Sequence, residues 1–251
     1  MKLSNKILIA AFSLIIILTF ITMIKIKNIS EDYRQDQTLG NKNWVTVEFP
    51  LQEFTELKVG DHFEVNWHQG VPMVKVHIEE NIKSFFKVDQ DGQKINIHFD
   101  SLTNYRINGK IVVDVYSQSL NQIRLHDFVQ FTGLDTILTS KLKIEMEDHC
   151  EAEILINVET MELNQFDFCK LEVSGSAKDA SIKLSDHCQL GAEQLNISNA
   201  LVDMDDFTQA SIMVRNRLKA DCNDHSNLEY KGDSVIAEIT QRDFSEVSKE
   251  K

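Results

Sequence analysis

The chain has 251 residues and a formal net charge of −13, with 42% hydrophobic and 26% charged residues, nine glycines and two prolines. Acidity of that size argues against nucleic acid and against docking on an anionic lipid face, since both require basic patches. The length allows one elongated domain behind an N-terminal apolar segment.

That segment comes first. Ile7 to Ile24 is apolar except for Ser13, Thr19 and Thr22, with Lys2 and Lys6 before it and Lys25 and Lys27 after it. Eighteen such residues are just enough for a transmembrane helix. No small-x-small site closes the run, so the sequence predicts an uncleaved signal anchor over residues 1–27, contacting the membrane through residues 7–24, and an ectodomain outside the cytoplasm. Residues 28–43 are polar and aperiodic and read as a tether.

From Trp44 onward the pattern alternates with period two, which predicts strands. Val45–Phe49, Glu56–Val59, Phe63–Trp67, Val74–Ile78, Lys94–Phe99 and Lys110–Val115 are the clearest, with a hairpin turn at Gln90-Asp91-Gly92-Gln93. Residues 44–122 form the less regular half of a single ectodomain, 44–251, because no Pro- or Gly-rich linker divides it. Asp61-His62-Phe63 echoes a mark that becomes regular further on.

Residues 123–247 carry seven copies of that mark: Asp127-Phe128, Asp148-His149, Asp167-Phe168, Asp186-His187, Asp206-Phe207, Asp224-His225 and Asp243-Phe244. They lie 21, 19, 19, 20, 18 and 19 residues apart, and the aromatic alternates between Phe and His. A fixed pattern with a period near 20 is the signature of a solenoid. Coils this short have no room for crossover helices, so neighbouring coils stack as parallel strands. The fold class expected is an all-β parallel β-helix or β-solenoid, with two or three short strands per coil and seven coils rising about 30 Å. Second turns are expected near 138–141, 176–179 and 215–217.

A row of buried carboxylates would be too costly, so Asp127, Asp148, Asp167, Asp186, Asp206, Asp224 and Asp243 are placed at corners. There Asp tolerates left-handed backbone and its carboxylate accepts backbone N–H groups. The rings of Phe128, His149, Phe168, His187, Phe207, His225 and Phe244 then form one column. It is read first as a stabilising stack and alternatively as a binding strip for sugar rings or a partner.

The family resemblance begins in the irregular half. Phe54-x-Glu56-Leu57-Lys58-Val59-Gly60-x-x-Phe63-x-Val65, Gln69-Gly70, Val76-x-Ile78-x-x-x-Asn81-Ile82 and Asp91-Gly92-x-x-Ile95-x-Ile97 resemble the opening of the bacterial head GIN domain family. Its members are auto-transporter adhesin-like proteins of unknown function. The resemblance spans about residues 44 to 247 and implies a β-helical extracytoplasmic domain of the cell envelope, with no catalytic residues carried over. Family members repeat Ser-Gly-Ser-Gly between strands. Here Ser174-Gly175-Ser176-Ala177 is an imperfect copy, and Asp-Phe or Asp-His stands where the glycine marks would fall.

The chemistry-bearing candidates are few. Cys150, Cys169 and Cys188 share one inward column, read as a free-thiol ladder ahead of a disulfide; Cys222 belongs to another column. Asp-His-Cys recurs at 148–150 and 186–188, but a Phe coil separates the His rows by about 9 to 10 Å, too far to share one ion, so no metal and no cofactor are expected. Asp203 and Asp205 share an outer face and are the candidates for carboxylate catalysis on a glycan, against the simpler reading of a solvated acidic edge. The reading reached is a non-enzymatic, adhesin-like binding or structural protein, with an envelope protein or glycan as partner and homo-oligomer formation as a further option. A polysaccharide-binding or glycan-active β-helix is the alternative.

Overall fold

The computed structural model describes residues 12–27, 37–100, 104–232 and 236–250. Helix α1 covers 12–27. Among the described residues no helix is long and apolar enough to cross a membrane. The expected transmembrane helix is thus not found among them, and residues 7–11 of the apolar run lie outside the described residues.

The rest is β structure, a solenoid of about seven turns. In chain order the strands are β1 (Thr38–Leu39), β2 (Trp44–Pro50), β3 (Glu56–Val59), β4 (Glu64–Gln69), β5 (Met73–Glu79), β6 (Phe86–Asp91), β7 (Lys94–Phe99), β8 (Tyr105–Arg106), β9 (Val112–Ser117) and β10 (Gln122–Leu125). Then come β11 (Gln130–Met146), β12 (Glu151–Gln165), β13 (Lys170–Leu184), β14 (Gln189–Met204), β15 (Gln209–Cys222), β16 (Asn227–Lys231), β17 (Ile236–Gln241) and β18 (Glu246–Lys249).

From β10 onward every pairing between coils is parallel, and inward residues fall in columns such as Ile123, Ile144, Leu163, Ile182, Val202 and Ala220. All six are buried. Each fully buried aliphatic side chain contributes about 1.5–3 kcal/mol of transfer free energy, and a solenoid recovers it only by stacking, since a single coil has nothing to cover its inner face.

The second turn differs from expectation. β11 to β15 run unbroken for 14 to 17 residues. The chain bends inside the hydrogen-bonded strand, and between β12 and β13 only the Glu159–Lys178 step is missing from the register. Inward positions there slip from Val158 to Met161, so two residues instead of one separate buried neighbours. A one-residue slip turns the chain and keeps the ladder on either side.

The N-terminal end is closed differently. β3 and β4 form the first coil, lying against β10 and β11 although the intervening chain is long. On their outer edges β7 pairs parallel with β3 and β9 parallel with β4, and antiparallel strands follow: β6 on β7, β5 on β9 and β2 on β5. Trp67, Phe54, Phe63, Phe86 and Phe99 fill the cap, each no more than 3% exposed. The cap also holds residues 37–43 of the expected tether, whose residues 28–36 lie outside the described residues. β1 pairs with β8, and the N–H of Lys42 donates to Glu79 Oε1 at 2.7 Å.

Candidate functional site

The recurrent mark is a two-residue corner in which both residues are left-handed. From Asp61-His62 through Asp243-Phe244, every Asp and every following ring has φ between 43° and 67°. Such backbone costs an L-residue about 1–2 kcal/mol and is rarer still for bulky side chains. Two adjacent left-handed residues reverse the chain in the fewest steps, which is why coils near 20 residues can close. Sequence reasoning gave this conformation to the Asp alone.

Stacking between coils compensates the strain in two ways. From His62 to His225, the backbone N–H of each aromatic residue donates to the carbonyl of the Asp one coil further on, His62 to Asp127 (2.8 Å) and Phe128 to Asp148 (2.9 Å) up to His225 to Asp243 (3.0 Å). The corners thus prolong the ladder of the strands. The rings also stack. Phe128–His149, His149–Phe168, Phe168–His187, His187–Phe207, Phe207–His225 and His225–Phe244 have centroids 4.6 to 5.3 Å apart and planes within 28°. His62 lies on Phe128 at 4.8 Å and is the rung below the seven marks.

The column sits on the surface with ring edges outward. Phe128, Phe168 and Phe207 are each about half exposed, whereas Phe244 is 88% exposed because no ring covers its outer face. A sugar stacks on a ring's face, and in this column the faces are occupied by one another. The edges, the carboxylates and the last face at Phe244 are what a ligand can reach.

The carboxylates of Asp127, Asp148, Asp167, Asp186, Asp206, Asp224 and Asp243 rise beside the rings. Among the described residues no backbone N–H donates to them; their main-chain carbonyls make the corner bonds. Asp61 differs, accepting from the Phe99 N–H at 2.7 Å. Desolvation, reinforced by the neighbouring carboxylates of Asp186 and Asp224, raises the Asp206 carboxyl above its ordinary value. His225 Nδ1 lies 2.9 Å from Asp224, and His126 Nδ1 lies 2.6 Å from Asp127.

Behind the rings Cys150, Cys169 and Cys188 are buried free thiols in one column, continued by Thr208 and Ser226; Cys222, also free, is buried in the neighbouring column. The contact with Cys150 and then burial push Cys169 up to about 12, and desolvation pushes Cys222 up to about 11. Thiols held this far from thiolate are poor nucleophiles and poor metal ligands.

Asp203 and Asp205 are both exposed on the outer face. Asp203 is in register with Lys183 and Asp221, and Asp205 accepts from Asn223 Nδ2 at 3.0 Å. Arg215 bonds to Asn196 instead. A depression of about 410 Å³ lies at the other end of this face, lined by Lys58, Arg124, His126, Glu145, Glu147 and Asp148. Within it Arg124 pairs with Glu145, which also takes Lys143 from beside the depression, and no hydroxyl or thiol lines it. Among the described residues no group of three or more His, Cys, Asp or Glu converges to hold a metal ion.

One buried carboxylate gave no sequence signal. Glu79 ends the alternating strand β5, yet it is fully buried, accepting from the N–H of Lys42 and from both the backbone and side chain of Asn108 (3.1 and 2.9 Å). Burial acts to raise its carboxyl, and the hydrogen bonds outweigh it and hold the group below its ordinary value. Gly40 is required beside it, since a Cβ there would lie 1.7 Å from Glu79 Oε2.

Known structures share this architecture. A putative adhesin from Bacteroides fragilis superposes with a TM-score of 0.80 at 14% identity, covering 84% of this chain and 99% of its own. One from Parabacteroides merdae gives 0.70 at 15% identity, covering 86% and 100%. A putative lipid binding protein from Parabacteroides distasonis gives 0.66 at 17% identity, covering 86% and 100%. At such identities the likeness is one of fold. No curated protein matches the chain. The model of the family described as "putative auto-transporter adhesin, head GIN domain" matches residues 53–234, nearly the whole solenoid, and the chain belongs to that family.

Proposed function

We propose that this chain is a non-enzymatic, adhesin-like binding or structural protein of the bacterial cell envelope, held at a membrane by its N-terminal apolar run and presenting the solenoid outside the cytoplasm. The observation that carries this reading is the regular surface: an uninterrupted column of stacked rings and carboxylates along a rigid rod, where an enzyme needs a cleft with converging titratable groups. Family membership supports the adhesin-like and envelope assignment. The anchor rests on the apolar run Ile7–Ile24. The partner is an envelope protein or glycan that lies along a flat, acidic face.

Two experiments test it. Washing isolated membranes with alkaline carbonate leaves the full chain in the membrane fraction if the run is an anchor; release into the supernatant defeats that assignment. Protection of the solenoid from protease in intact cells, lost only on disrupting the envelope from the inside, would place it in the cytoplasm and end the envelope reading.

The second reading, action on a polysaccharide, rests on Asp203 and Asp205 sharing one exposed face with Asp221 in register. New reducing ends from an acidic glycan, abolished by Asp203→Asn with Asp205→Asn, would establish it.

A further inference from the structure

Below its first regular coil the ring column opens one further face, into a cavity. In a regular coil four residues join the two arms, as 126–129 join Leu125 to Gln130. Four again separate Val59 from Glu64, but fourteen separate their partners in the layer beneath, Ile97 and Val112. That layer makes an excursion where its corner would stand, and the described part of it, 104–110, carries β8, which pairs with β1. His62 lies on Phe128 with one face, and among the described residues no ring stacks on the other. A cavity of about 380 Å³ takes that place, lined chiefly by Asp61, His62, Asn104, Tyr105, Ile107 and Ile111. None of these belongs to the coil of Phe128, so the cavity borders the free side of the His62 ring.

Its walls are chemically mixed. Asp61 is fixed by the Phe99 N–H, which donates to Oδ2 at 2.7 Å, and among the described residues Oδ1 takes no hydrogen bond. Tyr105 packs on Phe99 with ring centroids 4.4 Å apart. Burial, then the charge of Asp61, pushes its phenol up to about 12, so the hydroxyl keeps its proton at neutral pH and can donate. Ile107 and Ile111 supply apolar wall.

We infer that this cavity binds one uncharged pyranose ring of a glycan, which fills the missing rung: its C–H face lies on His62, and its hydroxyls donate to Asp61 and accept from Tyr105. Small-molecule sites span roughly 300–1,000 Å³, and a volume near the lower limit suits a single ring. A phenyl ring could stack equally well but would cover the Asp61 carboxylate without giving it a donor, and the same carboxylate repels a uronate. The inference rests on the binding reading above and narrows its partner to a glycan held at the capped end.

The test uses the full chain in a zwitterionic detergent, which brings no sugar head group. It is titrated with the methyl pyranosides of glucose, galactose, mannose and N-acetylglucosamine, with galacturonate and with N-acetylphenylalanine amide, and binding is read by saturation-transfer NMR. At least one neutral pyranoside is expected to bind in the millimolar range, with the C–H protons of one face saturated most. Tyr105→Phe should weaken it about three- to tenfold. His62→Ala should weaken it about tenfold, whereas His62→Phe, which keeps a ring, should change it less than about twofold. Ile107→Trp should abolish binding by filling the cavity while the melting temperature stays near that of wild type, and Phe244→Ala, at the other end of the column, should leave binding unchanged. Failure of every neutral pyranoside to bind, preference for galacturonate or for the phenylalanine amide, or binding that survives Ile107→Trp would each overturn the inference. None of these outcomes bears on the envelope assignment, which carbonate washing and protease access decide separately.

Discussion

His62 stacks on Phe128 with ring centroids 4.8 Å apart and planes at 16°, joining the irregular N-terminal half of the chain to the first regular coil. The contact extends the alternation of His and Phe downward by one rung. It shows the corner to be a balance between local strain and stacking, which orders two substitutions in an unusual way. Phe168→Ala removes two ring contacts, each worth about 0.5–1.5 kcal/mol, and keeps the left-handed strain. Phe168→Gly removes the same contacts and relieves about 1 kcal/mol of that strain. Thermal or urea unfolding should rank wild type above Gly above Ala, the reverse of the usual order in a strand. Ala outranking Gly would mean that the corner's backbone is not under strain.

Gly175 is the surviving glycine of the Ser-Gly-Ser motif, with φ 107° and space for no Cβ: one there would lie 2.0 Å from the Ile156 carbonyl oxygen. That neighbour is backbone in a paired strand and cannot move aside. Gly175→Ala should destabilise by more than about 1 kcal/mol, beyond the ordinary penalty of a Gly-to-Ala change at positive φ. A midpoint within error of wild type in chemical denaturation would refute this.

Gln165 is wholly buried in a column otherwise made of Met146, Leu184, Met204 and Cys222. Its Nε2 reaches only the Met146 sulfur at 3.8 Å, and its Oε1 has no partner. An unsatisfied buried amide costs about 1–3 kcal/mol, and methionine has nearly the same shape. Gln165→Met should therefore raise the melting temperature; a drop would show that the amide is satisfied in solution.

Glu79 sets an acid limit on the cap. Its folded carboxyl is held below the ordinary value, so its contribution to stability is complete above the unfolded value of about 4.5 and is lost as pH falls through the lower folded value. Melting temperature against pH should fall in that window for wild type. Glu79→Gln should lower the neutral plateau and flatten the acid limb, because glutamine cannot titrate. Parallel curves for the two proteins would remove Glu79 from the account.

The four thiols should stay silent towards an aromatic disulfide reagent at pH 8 in the folded protein and all react in denaturant. Cys169 at about 12 and Cys222 at about 11 are almost entirely protonated there, and all four are buried. Stoichiometric labelling without denaturant would mean the coils open far more readily than their packing implies.

Much of the solenoid is legible because a coil is a local object. The Asp-aromatic mark, its spacing and the period-two columns all lie within about 20 residues, so the parallel stack and its inward faces can be read before any coordinates. What resists reading is non-local. The pairing of β3 with β10 depends on 62 intervening residues that fold into both parallel and antiparallel strands at the end of the stack, and no periodicity marks it. Asp61-His62 carried the signal as a single echo of the mark. Glu79 offered none, since a glutamate closing a strand usually meets water, and only Lys42 and Asn108, brought from distant segments, make its burial tolerable. The bend at Glu159 and Lys178 falls where a second turn is expected, within 176–179; what stays hidden is that the strand runs on through it, because a one-residue slip leaves composition and polarity unchanged.

The docking of β1 on β8 also fixes a length. Residues 37 to 43 are fastened to the cap, so nine residues, 28–36, join α1 to the body, a leash of at most about 32 Å when fully drawn out. The capped end of the solenoid therefore lies within that reach of α1, and Phe244 stands at the opposite pole.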